Sequence, residues 1–344
     1  MRSFSVVIIG AGPGGLAGAK LLAEHGIDVL VLERKHMAGP KVCAGGITWA
    51  GLIKRVPEHL IEGAFTRQYI RSNFQQTTIK AAVPIVATIR REVLGKWMSH
   101  QAQDAGAELI TSCLVHKITP DTVKTSQGDF GYRYLIGADG SGSMVRKYLQ
   151  LATERVGVGI HFQVPGNFKN MEWHLNATLF QNGYGWIFPF RDMASVGVYG
   201  TRPYNNPKQM LCSLRRWADA TKIPVGGLKP KAGLINFDYR GWHFNNIMLI
   251  GDAAGLASGL TGEGMYPALV SGETAARVII NPDYKCTELQ RLIKKQIKHR
   301  RIVEFSAKNR FVNIVAMEIL VLALRMGFIP FSMLEMADGT RNIQ

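Results

Sequence analysis

Between an apolar strand and a helix near the start of the sequence stands the run Gly10-Ala11-Gly12-Pro13-Gly14-Gly15, a G-x-G-x-x-G sequence that few folds accommodate. Residues 5–9 read as a buried strand, 14–25 as a helix stopped by Gly26, and 28–32 as a second strand. A strand-helix-strand unit of this size closes by a right-handed crossover, so its two strands are parallel. Glycines in the turn let the backbone approach a pyrophosphate at the positive end of the helix. Glu33 ends the second strand, where a carboxylate binds the ribose hydroxyls of an adenosine half and repels a 2′-phosphate. These residues point to FAD or NAD rather than NADP, and by themselves leave the first two undecided.

Further along, 90–105 reads as a helix ending at Gly106, 108–118 as a strand, and 122–136 as a hairpin turning at Gln127 and Gly128. From 156 to 201 the pattern changes to period two. Within 171–180 the odd positions Met171, Trp173, Leu175, Ala177 and Leu179 are apolar, and Glu172, His174, Asn176 and Thr178 are polar. Alternation of this kind predicts a half-buried antiparallel sheet. Residues 247–250 return to a fully apolar strand, followed by a helix over about 263–280. The expected fold is α/β: a Rossmann-like, parallel-sheet nucleotide domain made of 1–46, 86–155 and 246–280, an inserted antiparallel-sheet substrate domain made of 47–85 and 156–245, and a helical C-terminal segment, 281–344.

With 344 residues, 47% of them apolar, the chain can bury a full core. Cys43, Cys113, Cys212 and Cys286 are far apart with no C-x-x-C pair, so no disulfide framework, metal or iron-sulfur site is expected and a reducing cytoplasm fits. The N-terminal apolar run resembles a leader, but five glycines and Pro13 interrupt it, and a strand and turn explain it better. Residues 311–330 approach the length of a membrane span but contain Asn313, Glu318 and Arg325. A central charge costs about 2.5–3.5 kcal/mol on insertion, so a packed or membrane-surface helix is expected. Of the formal charge of +16, a local excess of seven lies between Lys285 and Arg310, where nine Lys and Arg face only Glu288 and Glu304. Leu289, Leu292, Ile293 and Ile297 recur there at helical spacing. The stretch reads as a basic amphipathic helix suited to an anionic membrane surface or, equally, as a solvated helix over the core. The expected location is the cytoplasm, with a peripheral seat on the inner face of the membrane as the extension. No aromatic-interleaved basic groove accompanies the charge, so nucleic acid is not an expected partner.

Two later motifs decide for FAD. The runs 137–146 (Gly-Ala-Asp-Gly-Ser-Gly-Ser-Met-Val-Arg) and 251–255 (Gly-Asp-Ala-Ala-Gly) resemble signatures of the glutathione-reductase-type flavoproteins that include aromatic hydroxylases. The resemblance implies that Asp139, Gly140, Gly251 and Asp252 contact the cofactor, with Asp252 on the ribityl chain. Gly262, Glu263, Gly264 and Met265 then enter a helix whose small residues Gly264, Ala268, Ser271, Gly272 and Ala275 permit close packing on the sheet and whose N-terminal N–H groups would face the pyrimidine side of a flavin. Arg34 follows Glu33 at the adenosine end. Arg90 and Arg91 both stand where the group places a flavin-contacting arginine, and both are candidates.

The resemblance narrows at two more places. Lys41-Val42-Cys43-Ala44-Gly45-Gly46 is similar to the K-x-C-x-G-G loop, and Tyr184-Gly185-Trp186-Ile187-Phe188-Pro189 to the Y-x-W-x-F-P motif, of the geranylgeranyl reductase family. This implies an FAD-dependent oxidoreductase that saturates isoprenoid double bonds in lipids or quinones, with NAD(P)H or ferredoxin as electron donor. It puts Cys43, Ala44 and Gly45 against the flavin, Cys43, Tyr184 and Trp186 at the reacting end, and Tyr184, Trp186, Phe188 and Pro189 along the substrate. On spacing alone, Tyr184, Trp186, Phe188 and Phe190 share a strand face and would equally build a sheet core. His161 and His174 are more often satisfied sheet histidines than proton donors. Ala44 stands where many members carry glycine, Gly259 where proline is common, and the resemblance fades beyond about residue 280. The alternatives are an aromatic-hydroxylase-like monooxygenase and a non-catalytic, flavin-loaded lipid-binding protein.

Overall fold

In the computed structural model, which describes residues 1–52, 55–307 and 309–337, strand Arg2–Ile9 is the middle of a parallel sheet. The order is Ile247–Leu249, Gly128–Gly137, Arg2–Ile9, Val29–Leu32 and Glu108–Ile110, every neighbour parallel. Val6, Val7 and Ile8 are fully buried, because helices or extra strands cover both faces of such a sheet and its strands are continuous apolar runs. The short strand His243–Phe244 adds antiparallel at one edge, and Thr122–Thr125 and Val115–Ile118 add antiparallel beside Gly128–Gly137.

Helix Pro13–Glu24 lies against helix Met265–Ile280, and glycine sets their separation. A Cβ on Gly14 would stand 2.5 Å from the Ala268 carbonyl oxygen, and one on Gly272 2.0 Å from the Gly14 oxygen. The small residues noted along the later helix are therefore the contact that brings it onto the glycine turn.

The second sheet has seven strands in the order Lys231–Asn236, Val156–Pro165, Met193–Thr201, Tyr184–Pro189, Met171–His174, Arg67–Arg71 and Gln76–Lys80. Its pairs are antiparallel except Met171–His174 with Arg67–Arg71, which run parallel. Pleating divides strand Val156–Pro165 between two faces. Ile160 and Phe162 pack under helix Pro207–Ala220 with Leu214 and Trp217, and Gly159 and His161 turn to the opposite side, toward the parallel sheet.

Three local expectations need correction. The run 47–85 does not form one unit with 156–245: Gly46–Thr48, Ile61–Phe65 and Val86–Ile89 make a separate three-stranded sheet, and only Arg67–Arg71 and Gln76–Lys80 join the large one. The strand expected over 108–118 is broken at Ser112, whose φ is +53°. There the N–H groups of Ser112 and Cys113 donate to the Lys35 and Glu33 carbonyls and draw the chain across the end of Val29–Leu32. The alternation over 171–180 holds a strand only to His174. Asn176 then accepts a hydrogen bond from the Leu179 N–H and starts a helical turn, Ala177–Phe180.

The C-terminal segment is helical over Thr287–Ser306 and Arg310–Arg325, followed by a 3₁₀ turn, Phe331–Met333. Positions 308 and 338–344 of that expected segment lie outside the described residues. Among the described residues no helix is long and apolar enough to cross a membrane.

Candidate active site

One cavity of about 700 Å³ runs from the glycine turn, between the parallel and seven-stranded sheets, to the C-terminal turn. Its first part is bare backbone. Gly10, Gly12, Pro13, Gly14 and Gly15 line it, and a Cβ on Gly12 would find only the Ala138 oxygen, 3.8 Å away. Glu33 is locked across the turn: one oxygen accepts from the Ala11 N–H and the other from the Lys35 N–H, each at 2.9 Å. Arg34 lines the same end, joined by Cys113, Leu114 and Val115, which the break at Ser112 delivers.

Asp139 and Gly140 also line the cavity. The Asp139 carboxylate caps helix Met144–Tyr148 by accepting from the Met144 N–H at 2.6 Å, and burial pushes its pKa up. Its other oxygen is buried without a partner. Gly251 and Asp252 close the opposite wall. Asp252 is almost fully covered and is held by two groups the sequence reading did not assign: Lys41 Nζ and Ser141 Oγ, each 2.8 Å from its Oδ2.

The structure separates the two arginine candidates. Arg90, the residue before the helix, turns outward, pairs with Glu62 and Asp192 and does not line the cavity. Arg91, one position on, points inward and is 9% exposed. Burial lowers its pKa, Cys43 and Asp252 act on it only through space, and the one hydrogen bond its guanidinium makes among the described residues is to Met265 Sδ at 3.3 Å, with no carboxylate in an ion pair with it. A buried cation with no direct ion-pair partner is costly in an empty fold and fits an anionic ligand.

Cys43 is half-buried, and its Sγ accepts from the Gly45 N–H at 3.4 Å. Ala44 lines the cavity, but Gly45 does not. Gly45 has φ +84° and would place a Cβ 2.4 Å from the Phe190 ring, so it turns the loop beneath that ring instead. Across from the loop stand Gly262, Glu263, Gly264 and Met265. Glu263 accepts from Thr48 Oγ1 at 3.1 Å and from the Met336 N–H at 2.8 Å, and its burial raises its pKa.

The far part is an aromatic chamber. Tyr184, Trp186 and Phe188 line it together with Trp173, Tyr199 and Phe331. Successive ring centroids are 5.3–6.1 Å apart from Phe331 through Trp173, Tyr184 and Trp186 to Phe188, within the range of favourable edge and offset contacts. Pro189 and Phe190 are buried outside the chamber, Pro189 accepting from Thr88 Oγ1 at 2.7 Å. The polar ends of the rings are engaged by protein: Tyr184 donates to the Thr261 carbonyl, Tyr199 to the Gly259 carbonyl, and Trp186 to Ser195 Oγ. Burial raises both phenol pKa values, so the rings face the chamber as neutral, apolar walls.

Two titratable groups remain at this end. His161 lines the cavity and is held through Nδ1 by Ser195 Oγ at 2.7 Å, with its buried Nε2 unpartnered. Burial, with help from Lys231, pulls its pKa down to about 4 and keeps it neutral. Glu335 enters from the C-terminal turn, and burial next to Glu263 pushes its carboxyl up to about 8. His174 lies elsewhere, paired with Glu172 at 2.9 Å. Period two could have nominated Trp173 and Tyr199. No local signal marks Phe331 or Glu335, which reach the site by the return of the C-terminal segment.

A family model described as an FAD binding domain matches residues 3–221. The bare glycine floor, the fixed Glu33 and the buried Arg91 fit that cofactor, and the chain is an FAD-binding flavoprotein. Digeranylgeranylglycerophospholipid reductase 2 of Methanosphaera stadtmanae is 31% identical over 340 residues, covering 87% of this chain and 84% of the relative. Its namesake from Methanopyrus kandleri is 31% identical, covering 84% of this chain and 81% of the relative. The chain belongs to the geranylgeranyl reductase family of FAD-dependent oxidoreductases. A solved geranylgeranyl bacteriochlorophyll reductase-like protein from Thermoplasma acidophilum shares the fold, with a TM-score of 0.74 at 19% identity over 94% of this chain and 88% of that one.

Proposed function

We propose that this protein saturates carbon-carbon double bonds in the prenyl chain of an isoprenoid lipid or quinone. One observation carries the reading: the cavity continues without interruption from the FAD cradle into a chamber walled by Trp173, Tyr184, Trp186, Phe188, Tyr199 and Phe331. A prenyl chain offers no polar group to recognise, so its selection rests on apolar shape, and rings whose polar ends are already satisfied give that without a desolvation cost. Bound and reduced, FAD supplies a hydride for one alkene carbon, and a proton is added at the other.

The protein's part is placement. In this reading Gly10, Gly12, Pro13, Gly14 and Gly15 hold the pyrophosphate, Glu33 and Arg34 the adenosine half, and Asp139 and Gly140 the turn beside it. Asp252, set by Lys41 and Ser141, takes the ribityl hydroxyls. Cys43 and Ala44 on one loop, and Gly262, Glu263, Gly264 and Met265 on the other, enclose the ring, with Arg91 as the buried positive charge. Cys43, Tyr184 and Trp186 form the reacting end. Because Tyr184 and Trp186 give their polar hydrogens to Thr261 and Ser195, they orient the alkene and exclude water. The seven-stranded sheet is the substrate half of the molecule.

NAD(P)H or ferredoxin is the proposed electron source. A seat at an anionic membrane on the cytoplasmic side is supported by the exposed row Arg291, Lys294, Lys298 and Arg301 on helix Thr287–Ser306. The test compares products made with and without dioxygen from mixed prenyl lipids. Lipids gaining only hydrogen in both atmospheres support the reductase, and oxygenated products formed under air would favour the monooxygenase instead.

A further inference from the structure

Helix Arg310–Arg325 is apolar on two faces, and among the described residues only one of them has a partner. Val321 and Leu324 are buried, and with Met317 and Leu320 they pack into the cluster that contains Trp186, Phe188, Tyr199 and Phe331. This inner face packs behind the rings that wall the chamber, without itself lining the cavity. The other face carries Phe311, Val315, Ile319, Leu322 and Met326, spaced by three and four residues so that they form one stripe. All are exposed, Phe311 by 71% and Ile319 by 60%, and Phe328 just beyond the helix by 77%. A contiguous apolar stripe of this kind marks an interaction surface.

The surroundings favour one occupant. The preceding helix, Thr287–Ser306, exposes Arg291, Lys294, Lys298 and Arg301 in a row and then Ile302 and Phe305, so a cationic row leads to the apolar stripe. The acids that would offset it are already paired within the fold: Glu288 accepts from Tyr266 and Arg55, and Glu304 pairs with Arg155. Glu318, the acid of the second helix, accepts from Ser72 and from the N–H groups of Asn73 and Phe74. That contact pins a hairpin tip whose Phe74 is 80% exposed beside the stripe. Basic residues next to exposed large apolar side chains, with the acids paired, complement an anionic bilayer, where the cations meet lipid phosphates and the rings enter the acyl boundary.

We infer that the outer face of helix Arg310–Arg325, with Phe74, Phe305, Phe328 and the basic row before it, is a docking surface for an anionic lipid bilayer and lets prenyl lipid pass from the bilayer into the chamber behind the helix. This rests on the reductase reading for the identity of the lipid, but the docking itself does not.

The experiment uses the full FAD-loaded chain and vesicles of phosphatidylcholine with or without phosphatidylglycerol, free of prenyl lipid. Co-sedimentation is expected with the anionic vesicles and is weakened by salt. Replacing Phe311, Ile319 and Phe328 together by Ser should weaken vesicle binding about tenfold or more, with the flavin spectrum and turnover of a detergent-dispersed prenyl substrate unchanged. In a second variant, Ile319→Trp, fluorescence should be quenched by bromine-labelled lipid. Unchanged binding of the triple variant, or an unquenched Trp, overturns the docking surface. A concentration-dependent dimer that the triple variant disrupts, with no vesicle binding by the parent, would assign the stripe to a second copy and equally overturn it. Vesicle binding without turnover of the dispersed substrate would leave docking standing and contradict the reductase reading.

Discussion

The substitution Gly272→Ala adds one methyl group at the contact between helices Pro13–Glu24 and Met265–Ile280, and the structure fixes what it meets. The new Cβ would lie 2.0 Å from the Gly14 carbonyl oxygen and 2.7 Å from its carbonyl carbon. These are backbone atoms, so no rotamer change relieves the clash, and the helices must separate by more than 1 Å, on the order of the gap to normal van der Waals contact. Overpacking of side chains costs roughly 1–3 kcal/mol, and a backbone collision belongs at or above the upper end. At roughly 2–4 °C per kcal/mol for a protein somewhat smaller than this one, Tm should fall by about 5–10 °C. The displaced element carries the glycine turn, so FAD affinity should fall with it, by about tenfold for each 1.4 kcal/mol lost. Thermal melts of the apoprotein and fluorescence titration with FAD read the two effects. An unchanged Tm together with unchanged FAD affinity would refute the claim that this helix contact builds the cradle.

Arg91→Met should separate stability from binding. Removing a buried guanidinium that has no direct ion-pair partner should raise the apoprotein's melting temperature and weaken FAD binding about tenfold or more, and melts with and without FAD check the crossing. Glu33→Gln keeps the shape but replaces two charge-assisted bonds from the Ala11 and Lys35 N–H groups. A loss of about 1–3 kcal/mol in FAD binding is expected by isothermal titration. Glu335 provides a pH test. Its carboxyl, raised from 4.5 to about 8, holds a proton in the fold that the unfolded chain has already released. Its favourable contribution is therefore complete at low pH and is lost as pH rises to about 8. Urea melts should show a decline over that window of the order of a few kcal/mol that is much smaller in Glu335→Gln, and matching slopes in both proteins would contradict it.

What could be read in advance was what local physics dictates. The glycine turn, Glu33 and the small residues from Gly264 to Ala275 impose their demands within a few neighbours, so their role in a parallel-sheet nucleotide fold was visible before any contact was known. Arg90 and Arg91 could not be told apart, because a single residue of helix phase decides which side chain turns inward. The alternation over 171–180 fits a strand as far as the eye follows it, yet the Asn176 side chain captures the Leu179 N–H and ends the strand after His174. Lys41 stood within a recognised motif without a role until the fold brought it across the chain to Asp252. Phe331 and Glu335 depend on the return of the C-terminal segment, for which spacing carries no information. The stripe on helix Arg310–Arg325 looked like packing or surface from its composition, and only the burial pattern shows that it is both, one face behind the chamber's rings and the other on solvent.

The most direct measurement is an anaerobic single turnover. Protein loaded with FAD and reduced by one equivalent of dithionite is mixed with a prenyl lipid, and the flavin absorbance and lipid mass are followed together. Reoxidation of the flavin in step with a lipid heavier by one H2 per double bond is expected, slowed when Trp186 is replaced by Ala. A flavin that remains reduced until air is admitted, with the lipid mass unchanged, would contradict it.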